Sequence, residues 1–259
     1  FVPVFWLEGD DHDFEEVNYV QIIDNENKIK KISYNDNFLG SNRGSVGNIK
    51  FNLSINDMLD ELDESLRKTD FSDIVADHLI SFYKEGKTFK ESFKQLLYNL
   101  FDENGLIIFD PSTPAVKKLL SPIFMKELDD YRDHALLAVE TSANLEENYH
   151  AQIKVKLVNL FLNEDDGRYL LEPDEENFKL KNKRKKYTKD EMYNILKKQP
   201  ERFSPNVQLR PICQDYLFPT GFYVGGPGEI SYFAQVIPFY DVFNITQPII
   251  YPRSSATLV

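Results

Sequence analysis

Between residues 8 and 16, six carboxylates (Glu8, Asp10, Asp11, Asp13, Glu15 and Glu16) surround one histidine, His12. An imidazole changes charge near neutral pH, and an adjacent carboxylate orients it and stabilises its cation. Asp11, His12 and Asp13 therefore form a candidate acid–base centre. His12 would be the base or proton shuttle, and Asp11 or Asp13 its orienting partner. The same residues offer a second chemistry, because Asp10 and Asp13 are hard oxygen donors of the kind that hold Mg²⁺. Glu15 and Glu16 also have a plain role, since acids are favoured in a first helical turn.

Further candidates follow along the chain. Asp110 stands in Phe-Asp-Pro-Ser-Thr-Pro, where it is equally suited to a site, a turn or a helix cap. Asn206, Arg210, Gln214 and Asp215 mix hydrogen-bonding groups into an otherwise apolar stretch. Gly225, Gly226, Pro227, Gly228 and Glu229 make a glycine-rich turn opening a helix. Small residues let a ligand approach the backbone, and free N–H groups at a helix start attract anions. Pro227 removes one donor, and the turn matches neither the dinucleotide nor the Walker fingerprint. Arg253 and Ser254 close the set as partners for a phosphate or carboxylate. The chain contains no zinc-type Cys/His set and no Gly-x-Ser-x-Gly elbow.

Strands must present these groups. Val2, Val4, Phe5, Trp6 and Leu7 predict a buried strand leading into the acids, with Trp6 added to the binding candidates. Leu106 to Phe109 is a short apolar run ending at Asp110, as in a central parallel strand. Strands are also expected at 222–224 and 248–251. In an open α/β sheet ligands sit outside the carboxyl ends of the strands. The acid cluster, Asp110, the glycine turn and Arg253 are thus expected to wall one crevice. Residues 17–23 read as a helix end or a second strand, and 29–32 as a hairpin strand.

Helices are expected between these strands. Ser54 and Asp57 resemble a capping box, followed by Met58, Leu59, Leu62 and Leu66 on one face. Similar apolar faces recur at 71–82 and 89–100, and His78 falls on the first of these as a packed, structural residue. Residues 116–162 read as mostly helical, kinked or restarted at Pro122. His134 and His150 lack the spacing of a helical zinc pair and are expected to be surface or structural. The block Lys-Leu-Lys-Asn-Lys-Arg-Lys-Lys at 179–186 is the one strongly basic run. It suits a solvated loop, with phosphate or nucleic-acid binding as the sharper alternative. Thr188 opens a helix to Gln199, and another spans 229–239 with Ile230, Phe233, Ala234 and Ile237 inward.

The 259 residues carry a net charge of −12 and are 42% hydrophobic, enough for a real core in one large or two small domains. So acidic a chain argues against nonspecific binding to nucleic acid or an anionic membrane. No run of eighteen apolar residues occurs. A single cysteine, Cys213, fits a reducing cytoplasm, and no secretory leader is expected. The apolar ends, without an initiator Met, read as a fragment of a longer protein.

Four blocks in order carry a resemblance. They are Phe-Trp-Leu-Glu-Gly-Asp-Asp-His-Asp-Phe-Glu-Glu-Val-Asn at 5–18, Gly-Leu-Ile-Ile-Phe-Asp-Pro at 105–111, the stretch 204–220, and Tyr-Val-Gly-Gly-Pro-Gly-Glu-Ile-Ser-Tyr at 223–232 with Pro-Arg-Ser-Ser-Ala-Thr at 252–257. Together they resemble the cysteine-adding enzymes of bacillithiol biosynthesis, the BshC family, over essentially the whole chain. Gly9-Asp10 departs from the small residue and Glu expected there. The resemblance implies an α/β fold: a Rossmann-like, mostly parallel sheet core with inserted helical segments. Core would occupy 1–30 and 105–259, with a mainly helical insertion at 31–104 and a helical and basic-loop insertion at about 125–200. It also implies a ligase joining cysteine to glucosaminyl-malate, in a longer protein that dimerises through a coiled coil. Amide formation needs an activated carboxylate, so ATP is the expected cosubstrate, with Mg²⁺ as a further candidate. Other Rossmann-type nucleotidyl or sugar transferases, and a non-catalytic metabolite-binding scaffold, are the alternatives.

Overall fold

The apolar runs around residues 5 and 108 pair as expected. In the computed structural model, which describes residues 1–257, strand β1 (Val4–Trp6) runs parallel to a strand at 107–109, with Phe5 opposite Ile108. Leu7 N–H extends the pair by donating to the Phe109 carbonyl at 2.9 Å. The chain divides into two units. The first is Phe1–Ser112 with Asp165–Arg168, and the second is Thr113–Glu164 with the chain from Tyr169 onward.

In the first unit β1 leads to a single helical turn, α1 (Phe14–Val17), and then to an antiparallel hairpin of β2 (Tyr19–Ile23) and β3 (Ile29–Ser33). The Asp24 carboxylate closes the hairpin by accepting from the Glu26 and Lys28 amides, and Asn27 takes the left-handed conformation. Helices α2 (Ser54–Ser65), α3 (Ser72–Phe82) and α4 (Phe89–Phe101) follow, then β4 (Ile107–Phe109). Phe14, Tyr34, Phe51 and Phe89 pack as an aromatic cluster with ring centroids 4.4–6.3 Å apart. Phe14 thus ties the segment after the acid cluster to a small core of its own.

The second unit begins with α5 (Pro114–Glu146) and continues through β5 (Leu160–Glu164), β6 (Gly167–Asp174), β7 (Asn177–Leu180) and β8 (Lys186–Tyr187). Helix α6 (Lys189–Lys198), β9 (Phe203–Pro205), α7 (Arg210–Leu217), β10 (Phe222–Gly225), α8 (Pro227–Phe243) and β11 (Ile249–Pro252) complete it. Strands β10 and β11 form a parallel pair, with Gly225 opposite Pro252. Five strands make a sheet in the order β8-β7-β6-β5-β9, and its β6–β7, β7–β8 and β5–β9 pairings are antiparallel. Leu120, Phe124 and Leu128 of α5, Phe178 and Leu180 of β7 and Phe233, Val236 and Phe239 of α8 share one core. Among the described residues no helix is long and apolar enough to cross a membrane.

Several local expectations are corrected. The opening strand is not fully buried: Leu7 is, but Val2 and Val4 are 64% and 41% exposed. Ser54 does not cap α2. Leu53 precedes the helix, and the Asn52 side chain accepts the Ser54 amide instead. Helix α3 buries no residue, so His78 is exposed rather than packed, lying 6.1 Å from the Phe82 ring. Helix α5 passes through Pro122 and is distorted at Asp130 (φ −109°, ψ 15°), whose carboxylate reaches back to Lys126. The basic run is loop at 181–185, as expected, but its ends are strand: Lys179 and Leu180 close β7 and Lys186 opens β8. Phe178 and Leu180 point inward between outward lysines, as a strand's period of two requires. Helix α8 extends beyond 229–239 at both ends, and Ile237 faces outward. The capping box at Thr188 is present, with Glu191 returning to the Thr188 amide.

His134 is the deepest histidine. Its Nδ1 lies 2.6 Å from Glu127 Oε2 across the distorted turn, with both side chains almost fully buried. Glu127 Oε1 accepts the Asn159 amide at 2.7 Å, and the imidazole packs against Phe239 and Phe243. His134→Leu strands the Glu127 carboxylate in an apolar interior. It is expected to cost about 3–5 kcal/mol, read as a fall in the denaturant midpoint at unchanged m-value.

Candidate functional site

The turn after β1 is held from several sides. Gly47 N–H donates to the Gly9 carbonyl at 3.0 Å, and Val46 N–H donates to the Asp11 carbonyl at 2.6 Å. A Cβ on Gly47 would stand 2.7 Å from both Gly9 Cα and O, so only glycine permits this approach. On Gly9's other flank the Lys90 stem comes within 3.0 Å of where a Cβ would be. Trp6 stacks on Phe109 at 5.4 Å and donates its indole N–H to Glu8 at 3.0 Å, whose other oxygen accepts the Asp10 amide.

Within this loop His12 Nδ1 meets two groups. Arg168 Nη1 is 3.0 Å away and Asp11 Oδ1 is 3.3 Å away. A guanidinium only donates and a carboxylate only accepts. A neutral His12 with its hydrogen on Nε2 accepts a hydrogen bond from Arg168 at Nδ1, and the other neutral tautomer donates Nδ1–H to Asp11. An imidazolium carries hydrogen on Nδ1 as well and turns that nitrogen to Asp11. Asp13 is more distant, 4.0 Å from Nε2. Whether Nδ1 carries a hydrogen thus decides the partner of that nitrogen. The His12 side chain is first among the groups that hold the Asp11 carboxyl well below its usual value of 3.8, at about 2. Backbone N–H of His12, donating to Asp11 Oδ1 at 2.6 Å, and Arg168 act in the same direction.

Arg168 was not foreseen. It is buried, and burial opposes its charge while Asp10, Asp11, Glu8 and Asp13 favour it. Its backbone is clamped by Asn42, which accepts the Arg168 amide and donates to its carbonyl at 2.8 Å. Its place in sequence, in Asp-Asp-Gly-Arg more than 150 residues from His12, carries no signal. Among the described residues no group of three or more His, Cys, Asp or Glu side chains is arranged to hold a metal. Asp10, Asp11 and Asp13 favour the charge of the buried Arg168.

Asp110 lies in the same unit at the end of β4. It pairs with Lys90 at 3.0 Å and accepts both the amide and the hydroxyl of Ser112. Burial pushes its carboxyl up, but Ser112 and Lys90 outweigh burial and hold it below the usual range. Its turn role is therefore realised.

The second unit assembles most of the later candidates into another network. Arg210 donates to Gln214 at 3.2 Å and to the Tyr223 hydroxyl at 2.7 Å. Tyr223 donates to Glu229 Oε1 at 2.8 Å, while Oε2 caps α8 by accepting the Gly226 amide at 2.8 Å. Burial pushes the Tyr223 hydroxyl far up, so it stays a donor. Gln214 also donates to Asp215, whose other oxygen accepts the Tyr240 hydroxyl. Burial raises the Asp215 carboxyl. Asn206 accepts the Gln208 and Leu209 amides at the start of α7 and donates to Asn159. It is thus spent on structure. Arg253 lies across the glycine turn: its amide donates to the Gly225 carbonyl, and a Cβ on Gly226 would meet its guanidinium at 2.9 Å. Gly228 and Ser254 are open to solvent. Tyr223, Tyr232 and Tyr240 were missed, because an apolar run does not reveal which tyrosine will be turned toward an arginine or an acid.

The sequence profile described as Bacillithiol biosynthesis BshC, N-terminal Rossmann-like domain, matches residues 1–254. The chain belongs to the BshC family. Curated relatives named "Putative cysteine ligase BshC" agree. One from Salinibacter ruber is 38% identical over the whole chain and 47% of its own length. Others from Chloroherpeton thalassium and Staphylococcus carnosus are 37% and 33% identical. The chain spans about half the length of the curated relatives it matches. The fold class is the α/β Rossmann-like type, with parallel strand pairs and several helices. The Asp11–His12–Arg168 cluster and the Arg210–Tyr223–Glu229 network are two polar groupings among the described residues, and they hold many of the candidate residues.

Two outcomes test the first centre. Gly47→Ala forces the 9–11 loop away from its clamp and is expected to cost about 1–3 kcal/mol in chemical unfolding. Asp11 ionises more readily folded than unfolded, so its contribution is complete above pH 3.8 and is lost as pH falls toward about 2. The difference in urea midpoint between the parent and Asp11→Asn is expected to be level near neutrality and to shrink across that acid window.

Proposed function

We propose that this domain supplies catalytic groups for joining cysteine to glucosaminyl-malate in bacillithiol formation. The observation that carries the reading is the Asp11–His12–Arg168 cluster, with His12 Nδ1 placed between an acceptor and a buried donor, in a chain of the BshC family. An amine must lose a proton to become an amide, and a base near neutral pH serves that step. His12 takes this proton. It does so at Nε2, in the neutral tautomer whose Nδ1–H donates to Asp11, and the tautomer that accepts from Arg168 at Nδ1 is the resting form, with no free lone pair. Asp10 and Asp13 favour the charged form of Arg168.

ATP would activate the cysteine carboxylate as an acyl-phosphate or acyl-adenylate, whose phosphate or AMP would leave as the amine attacks. Arg253 and the open backbone at Gly228 are the groups offered to its phosphates, since an arginine fork and a helix start both suit that anion. Arg210 with Gln214, Asp215 and Glu229 offers hydrogen-bonding groups to a substrate within the second unit, and Trp6 and Asp110 are binding candidates in the same unit as His12. Mg²⁺ would come with the nucleotide and offset the charge of its phosphates. The substrates are small molecules, neither nucleic acid nor membrane being involved. The reaction belongs in the cytoplasm, and the longer enzyme works as a homodimer through a coiled coil.

The test is turnover by the intact enzyme containing this domain, with cysteine and glucosaminyl-malate, with and without ATP, followed by mass analysis of the thiol product. His12→Ala is expected to lower kcat by about 10²–10⁴-fold with retained folding. Normal turnover in that variant removes His12 from the proton step. Product formation independent of ATP removes the activation route.

A further inference from the structure

The basic run at 179–186 has no part in either polar centre. Most of its charge is nevertheless accounted for. Lys185 pairs with Glu164 at 2.9 Å, Lys186 with Asp174 at 2.8 Å and Lys179 with Glu172 at 3.8 Å. Lys183 lies over the Tyr169 ring at 4.3 Å. Lys181 differs. It lines a groove of about 380 Å³ within the second unit, together with Lys156, Lys179 and Glu172. Leu157, Leu170 and Pro173 are among the apolar residues lining the same groove. Three lysines and one glutamate thus line one concavity, in a chain whose formal charge is −12. The β6–β7 register builds this arrangement. Glu172 sits opposite Lys179, and the Lys181 amide donates to the Leu170 carbonyl, so successive outward side chains of the hairpin reach the groove.

We propose that this groove binds a small phosphate monoester with an apolar body. The phosphate would sit between Lys156 and Lys181, and the body against the leucine and proline side chains. Lys179 is the tunable member, because its 3.8 Å approach to Glu172 is loose enough to be exchanged for the ligand. The site lies in the antiparallel sheet, and none of its lining residues belongs to the Arg210–Tyr223–Glu229 network.

Titration calorimetry of the chain at low salt, with phenyl phosphate and with inorganic phosphate, tests this. Phenyl phosphate is expected to bind saturably, to bind several-fold tighter than inorganic phosphate, and to weaken as salt is added. Lys181→Glu and Lys156→Gln are each expected to weaken it at least about fivefold, as loss of a charge-assisted phosphate contact should. Arg184→Glu makes the same charge change as Lys181→Glu on an exposed position of the same hairpin outside the groove. It is expected to leave affinity within about twofold, since exposed charges at a distance are screened. Circular dichroism and the thermal midpoint establish folding of each variant. Lack of saturable binding by the parent chain overturns the proposal, as does equal weakening by Lys181→Glu and Arg184→Glu. Equal affinity for the two phosphates overturns the apolar half of the site.

Discussion

One buried guanidinium makes the acidic loop possible. Glu8, Asp10, Asp11 and Asp13 lie within a few residues of one another, and like charges so close would raise each other's pKa values or drive the loop into solvent. Arg168 sits among them with almost no exposure. The dependence is mutual, because a buried arginine needs compensating carboxylates. The two sides are held by different devices: Asn42 fixes the Arg168 backbone, and Gly47 and Val46 fix the loop. Small residues at 9 and 47 are therefore part of the electrostatic arrangement, since the backbone approach they allow sets where the carboxylates stand.

The second unit solves a related problem with neutral donors. Arg210 would otherwise be a half-buried charge beside a helix start. Its proton-donating contacts run through Tyr223 to Glu229, and Glu229 spends its other oxygen on the first turn of α8. A helix cap and a hydrogen-bond chain thereby share one carboxylate. The same economy appears at Glu127, which holds both His134 and the Asn159 amide ahead of β5. In each case one acid ties a helix to a neighbouring segment, so geometry and charge balance cannot be changed separately.

Much of the element pattern was legible from residue types. The apolar runs at 106–109 and 222–224 are strands, the Thr188–Glu191 spacing is a capping box, and the β3 hairpin falls where alternation placed it. The misreadings have physical causes. Lys179 was counted with the basic loop, when the inward Phe178 and Leu180 on either side of it mark the end of a strand. Helix α3 has an apolar face with no buried residue, so the periodicity that suggested a packed His78 did not bring burial with it. Pro122 is accommodated inside α5, while the distortion falls at Asp130.

Sequence by itself determined that His12 stands among acids after a strand, that Asp110 ends another, and that a glycine turn and arginines follow. Local types and spacing suffice for that, and the ordered blocks carry the family. Tertiary structure decided which of these groups act together. Arg168 reaches His12 from 156 positions away, and Tyr223 joins Arg210 to Glu229 only because strand β10 faces helices α7 and α8. Such pairings depend on how distant segments are brought into register, and no local pattern of residues encodes that distance.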